Sequence, residues 1–159
     1  MSVYRIGIGY DIHALQKGDG LPLGGVRIPF DRSFNAHSDG DVLLHAVCDA
    51  ILGAMGKGDI GMMFPDTDPS FKDADSRTFL ERVSNMAAEH GYSLGNLDCV
   101  IVAQEPKISP HSAEIRGSIA QILRTSEDKI NLKAKTAEKL GPVGEGKAIE
   151  AHAVVLLEK

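Results

Sequence analysis

The chain has 159 residues, with no tryptophan, 5% aromatic residues and two cysteines. Cys48 and Cys99 lie in separate apolar stretches without paired spacing. That excludes a disulfide framework and a cysteine-rich zinc site, and points to buried thiols in a reducing, cytoplasmic setting. Basic charge is also short: 17 Lys and Arg stand against 22 Asp and Glu, a net charge of −5. No cationic stripe is available to displace counterions, so a nucleic-acid partner is not expected. Small anionic substrates remain open, because a metal or a helix end can dominate the local field. Long hydrophobic runs are missing, and the N-terminus enters strand-like sequence with no signal or transit peptide, so neither a membrane span nor a membrane partner is expected. What is present is ordinary for a soluble globular protein: 43% apolar and 25% charged residues. The length favours one domain over residues 1–159.

Apolar periodicity predicts strands at 3–13, 25–30, 96–104, 129–136 and 148–158, and helices at 39–56, 77–90 and 110–124. In the first helix Val42, Leu43, Ala46, Val47, Ala50, Ile51 and Ala54 form the apolar side, while Asp41, His45 and Asp49 recur one turn apart. The second buries Phe79, Leu80, Val83 and Met86 or Ala87, and stops at Gly91. The third opens on Ser109-Pro110 and buries Ile115, Ile119, Ile122 and Leu123. Mixed strands and helices without a strict βαβα series give an α/β or α+β sandwich. Residues 61–76 form the only long loop, a length that suits a lid.

The chemistry begins in the first strand. Ile6, Ile8, Tyr10 and Ile12 share one face and Gly7, Gly9, Asp11 and His13 the other. The apolar face reads as core. Asp-x-His alone is too short to specify a site, but with His45 it supplies two imidazoles and a carboxylate, the ligand set of a catalytic zinc site with its fourth position open. Asp49, one turn from His45, is placed to accept the other ring N–H of that imidazole. A second feature is His37-Ser38-Asp39-Gly40-Asp41, in which Ser38 and Asp41 match a helix-capping pattern. The free N–H groups of that helix start, with His37 outside it, suit a phosphate. A third is Lys133 to Gly141, where Lys and Thr can donate to a diphosphate and Glu138 offers a hard oxygen for Mg2+. Two look-alikes fail. Gly7-x-Gly9 lacks the third glycine of a dinucleotide fingerprint, and Gly141 to Lys147 is followed by Ala148 and a strand where a P-loop needs Ser or Thr and a helix.

Taken together, Gly9-Tyr10-Asp11-Ile12-His13, Leu23 to Pro29, Ala36 to His45, Gly58-Asp59-Ile60-Gly61, Phe64 to Pro69, Asp75-Ser76-Arg77 and Gln104-x-Pro106-Lys107 closely resemble the 2-C-methyl-D-erythritol 2,4-cyclodiphosphate synthase family of the non-mevalonate isoprenoid pathway. The resemblance implies a ferredoxin-like subunit, a sheet with helices packed on one face, in a homotrimer with active sites between neighbouring subunits. It implies cyclisation of 4-diphosphocytidyl-2-C-methyl-D-erythritol 2-phosphate with release of CMP, a phosphorus–oxygen lyase reaction. Under it Asp11, His13 and His45 would hold Zn2+. His37 and Thr136 would stabilise the transition state, with Ser38 and Lys135 beside the phosphates and Glu138 on a bridging Mg2+ or Mn2+. Asp59, Ile60 and Gly61 would contact the methylerythritol part, and Phe64, Pro65, Asp66, Thr67 and Asp68 would form a flap over it. Ala103 to Ser109, including Pro106 and Lys107, would line a cytidine pocket of the adjoining subunit.

The chain departs from many relatives after residue 140. It carries Pro142, Gly144, Glu145 and Lys147 where they carry an aromatic residue and Gly-Arg-x-Glu, a segment linked to isoprenoid diphosphate binding in the trimer's central cavity. Two competing readings are a metal-dependent phosphoesterase that hydrolyses a related nucleotide diphosphate, and a non-enzymatic module with structural zinc. The second is disfavoured because neither cysteine lies near the ligand set in sequence.

Overall fold

The computed structural model describes residues 2–65 and 67–159. Strands run at Tyr4–Lys17 (β1), Leu21–Leu23 (β2), Val26–Ile28 (β3), Arg32–Phe34 (β4), Ser93–Val102 (β5), Ile130–Lys135 (β6) and Ala148–Glu158 (β7). Helices run at Val42–Met55 (α1), Ile60–Met63 (α2), Ser76–Glu89 (α3), Ser112–Leu123 (α4) and Gly141–Gly144 (α5). The main sheet has the order β4-β1-β7-β5-β6, antiparallel except for the parallel pair β5–β6. β7 is central and buries Ala151, Ala153, Val155 and Leu157 on one face. β6, with Asn131, Lys133 and Lys135 exposed, takes an edge, where charged side chains deter further pairing.

This order corrects the ferredoxin-like expectation. A ferredoxin-like sheet joins its middle two strands as an antiparallel hairpin, whereas β5 and β6 are parallel across the α4 crossover and the last strand, β7, stands between β1 and β5. The apolar alternation of β7 suits an interior position and the charged alternation of β6 an edge, which produces the difference.

The helices lie on one face of the sheet, as expected, but it is not the predicted face of β1. Gly7 and Gly9 face α1, and the isoleucines point away: Ile6 is 73% and Ile8 71% exposed. A Cβ on Gly7 would stand 1.8 Å from the Ala50 carbonyl oxygen, and one on Gly9 1.8 Å from that of Ala46. The missing side chains let the helix backbone rest directly on the strand. With no room for a side-chain layer there, α1 is buried nearly all round, under the sheet on one side and α3 and the β2–β3 hairpin on the other.

The hairpin turn Gly24–Gly25 has φ of +63° and +78°, as a two-residue turn between twisted strands demands. Its N–H groups donate to Asp41, Gly24 to Oδ1 at 2.9 Å and Gly25 to Oδ2 at 2.7 Å, and the Leu44 N–H adds a third bond at 3.0 Å. Asp41, fully buried, thus caps α1 and clips the hairpin onto it. Burial raises its pKa against the pull of those three donors. The helix therefore starts after Asp41, later than the predicted residue 39. Its N-terminus is capped by the protein's own carboxylate, which takes the Leu44 N–H. Residues 61–76 are not one open loop either: α2 runs into their start, and a 3₁₀ turn at Pro69–Phe71 is capped by Asp68. Cys48 and Cys99 are free and buried, as expected, with burial pushing the Cys99 thiol up to about 12.

Candidate metal centre and a separate cleft

Every two residues of β1 advance about 6.8 Å, and every four residues of α1 about 6 Å. Gly7 lies against Ala50 and Ala54, and Gly9 against Ala46 and Ala50. One more step along β1 sets Asp11 beside the first turn of α1, within reach of His45. Asp11 Oδ2 lies 3.0 Å from His45 Nδ1 and 3.1 Å from His13 Nδ1. Its other oxygen accepts the Ile12 N–H at 2.9 Å.

The cluster fits a divalent ion of the zinc type. One ligand atom from each of Asp11, His13 and His45 falls within 4.8 Å of the others; ligands on a tetrahedral zinc at roughly 2.0–2.2 Å stand about 3.3–3.5 Å apart. His13 Nδ1 is buried, and its 3.1 Å approach to Asp11 Oδ2 lacks hydrogen-bond geometry, which leaves a lone pair that a metal would satisfy. Burial opposes ionisation of Asp11, yet the His13 and His45 imidazoles hold its carboxyl down at about 2. Burial likewise opposes a charged His45, but Asp11, with Asp41 and Asp39 behind it, raises its pKa.

The predicted partner of His45 is corrected. Asp49 instead accepts the Ile60 N–H at 2.7 Å, tying α1 to α2. The second ring nitrogen, Nε2, lies 2.8 Å from Ser76 Oγ and 3.3 Å from Ser38 Oγ. Ser76 is completely buried and was not singled out as a site residue from sequence. No periodic signal links positions 31 residues apart on different helices; Asp75-Ser76-Arg77 was visible only as a shared string.

The triad opens into a cavity of about 400 Å³, lined also by Asn35, Ala36, His37, Ser38, Ile60, Gly61, Phe64, Phe71 and Phe79. His37 Nε2 is a second buried orphan. Phe64 stacks on Phe79 at 4.4 Å, and Phe71 meets both edge-on. Asp59 caps α2 through the Met62 N–H at 2.9 Å. Pro65 and Thr67 are exposed and Asp68 half-buried, with the Asp68 N–H donating to the Pro65 carbonyl at 2.9 Å. Asp66 lies outside the described residues.

The remaining predicted residues form a different cleft. Ala103, Pro106, Lys107, Lys135 and Thr136 line a space of about 230 Å³ with Gln104, Ile108, Ser109 and Ala134. The Thr136 hydroxyl donates to Glu138 Oε1 at 2.5 Å, and the Lys139 N–H to Gln104 Oε1 at 3.2 Å. Glu138 and Lys139 both have positive φ, +50° and +64°, in succession. The row Ile12, Glu150, Val102, Lys135 crosses four strands. Thr136 is therefore at the same end of the sheet as His13 but three strand spacings away, roughly 14 Å. Within one chain the triad and Thr136 do not meet.

Comparison with known proteins gives one direction. A family model described as the YgbB family matches residues 4–158. A relative from Pelobacter propionicus named 2-C-methyl-D-erythritol 2,4-cyclodiphosphate synthase is 56% identical over 96% of this chain and 97% of its own length. The structure of the bifunctional IspDF from Campylobacter jejuni superposes with a TM-score of 0.95 at 40% identity; the match covers 99% of this chain and 43% of that one. A CDP complex of IspF from Plasmodium falciparum gives a TM-score of 0.86 at 42% identity, covering 97% and 95% of the two chains. Among the described residues no helix is long and apolar enough to cross a membrane.

Proposed function

The chain belongs to the YgbB family, and from that premise we infer that it converts 4-diphosphocytidyl-2-C-methyl-D-erythritol 2-phosphate to 2-C-methyl-D-erythritol 2,4-cyclodiphosphate and CMP. It is a phosphorus–oxygen lyase of the non-mevalonate isoprenoid pathway, built as a single domain over residues 1–159 and working in the cytoplasm on a small nucleotide substrate. The observation that carries the reading is the cluster of one carboxylate and two imidazoles on the wall of a cavity that also holds His37 and Ser38.

In this reaction a 2-phosphate oxygen attacks the β-phosphorus, a new P–O bond forms, and the bond to CMP breaks. Attacker and target share one molecule, so the protein's task is to fold the substrate and offset its charge. Asp11, His13 and His45 would hold Zn2+, and Glu138, an exposed carboxylate, Mg2+ or Mn2+; both ions would supply charge neutralisation at phosphate oxygens. The His37 imidazole and the Ser38 hydroxyl donate to the 2-phosphate. Thr136 and Lys135 meet the diphosphate, and Ala103, Pro106 and Lys107 the cytidine. Asp59, Ile60 and Gly61 bind the methylerythritol, and Phe64 to Asp68 cover it, the aromatic cluster keeping water from the phosphorus.

The reading requires the two clefts to come together, which we assign to a homotrimer with the site shared between neighbours. The open face of β1 supports this. Ile6, Ile8, Tyr10 and Ile12 stay exposed in the single chain, and burying each isoleucine would contribute about 1.5–3 kcal/mol. Phosphorus NMR of the protein with substrate, Zn2+ and Mg2+ is the test. A cyclic diphosphate with CMP is expected; CMP with only linear phosphates would make the protein a hydrolase on the same scaffold.

A further inference from the structure

We propose that Ser76 and Asp39 are positioning residues for the metal centre: they fix His45 as the Nε2–H tautomer and so aim the lone pair of Nδ1 at the metal position between Asp11 and His13. The inference rests on the metal reading above and adds to it the groups that hold one ligand in place.

The argument is a count of protons. Ser76 has one hydroxyl proton and two polar neighbours, Asp39 Oδ1 and His45 Nε2. An ionised carboxylate only accepts, and Asp39 Oδ2 already receives the Ser76 backbone N–H at 3.0 Å. The hydroxyl proton therefore goes to Asp39, and Ser76 Oγ can only accept from the ring. Asp11 Oδ2, 3.0 Å from Nδ1, competes for that proton while no metal is bound; once Nδ1 gives its lone pair to the metal, the proton of neutral His45 sits on Nε2. Complete burial of Ser76 leaves it no water to turn to. Ser38 Oγ, 3.3 Å from the same nitrogen, already accepts the Gly40 N–H at 3.2 Å and is the poorer partner. Its own proton is free for an anion in the cavity.

The relay also joins two parts of the chain. Ser76 opens α3 at the end of the 61–76 segment, and Asp39 sits in the turn before α1. The Asp73 N–H donates to the His37 carbonyl at 2.9 Å, and the Asp39 N–H to that of Ala74 at 3.1 Å. The segment that walls the cavity is thereby stitched to the turn bearing His37 and Ser38, and the side chains of Ser76 and Asp39 carry that junction on to His45. Partners of this kind commonly alter metal affinity 10- to 100-fold.

The test begins with long-range 15N NMR of the histidine rings in the wild-type protein, with and without Zn2+. The expected result is zinc on His45 Nδ1 and a proton on Nε2. Zinc on Nε2 would overturn the relay while keeping the metal centre. No response of His45 to zinc would remove the metal reading and the relay with it. Chelator competition on variants follows, with the metal-free Tm as the control for folding. Ser76→Ala is expected to weaken zinc about tenfold, the low end of the range because Ser38 can substitute. Asp39→Asn is expected to weaken it as well, and the double variant to fall short of the sum, as for linked groups. Wild-type affinity in a folded Ser76→Ala or Asp39→Asn protein, or full additivity, would overturn the proposal.

Discussion

The two clefts differ in how much of each a single chain completes. Around Asp11, His13 and His45 the polar groups are partly or wholly buried, and Asp11, Ser76, Asp39 and Asp41 are engaged by neighbours on β1, α1, α3 and the hairpin. Around Thr136 the hydroxyl, the Lys135 ammonium and the Glu138 carboxylate are exposed, and their hydrogen bonds are local. The first is assembled by folding; the second, on the shared-site reading proposed above, is half a site. Metal affinity should therefore follow the fold of one chain, and turnover the meeting of two.

The largest effect expected is for His45→Ala, which removes a ligand from the finished cleft. Turnover should drop to background and zinc to below one ion per chain, with the helical circular dichroism unchanged; metal analysis and phosphorus NMR check it. Ile8→Asp should separate the two properties. It places a charge on the open face of β1, so sedimentation should show monomers with zinc retained and turnover lost. Full activity in a monomer would end the shared-site reading. Thr136→Ala acts only in the open cleft. Loss of one transition-state donor should lower kcat about 10²-fold, with Tm and zinc content unmoved.

The smallest effect is graded with pH. Metal-free, the Asp11–His45 pair contributes stability above the ordinary Asp value, and this is lost as pH falls through about 2. His45, with its pKa raised, contributes below its ordinary value near 6.5, and this is lost as pH rises through the higher folded value. Metal-free Tm should therefore fall on the alkaline side of that value. Zinc affinity should run the opposite way, rising as the His45 proton leaves. A metal-free Tm that climbs across this range would contradict the ion pair.

The Asp11, His13 and His45 cluster was legible because its members obey local periods: Asp11 and His13 by alternation, His45 by its place on a helix. The face of β1 was misread because hydrophobicity does not distinguish a core from an exposed apolar face. Isoleucine outranks glycine on any scale, yet Gly7 and Gly9 give the closer approach to α1. β7 was bounded correctly at 148–158 because its alternation is regular. β2 and β4, three residues each, left too little pattern to find. Ser76 and Asp39 escaped for a different reason: their role arises from two turns docking, which no window of sequence contains. Thr136 and Glu138 stood out by residue type as diphosphate and Mg2+ groups, while their place beside the triad came only from family likeness; the roughly 14 Å between Thr136 and His13 explains why no intrachain pattern joined them.

The bend at Glu138–Lys139 carries one more consequence. Two successive non-glycine residues at positive φ cost on the order of 1–3 kcal/mol each. A chain shaped for durability alone would put glycine there. Lys139→Gly should accordingly raise the melting temperature while slackening the loop that presents Thr136 and Glu138, exchanging catalytic rate for robustness. That short stretch is where engineering for heat tolerance and engineering for speed would pull in opposite directions.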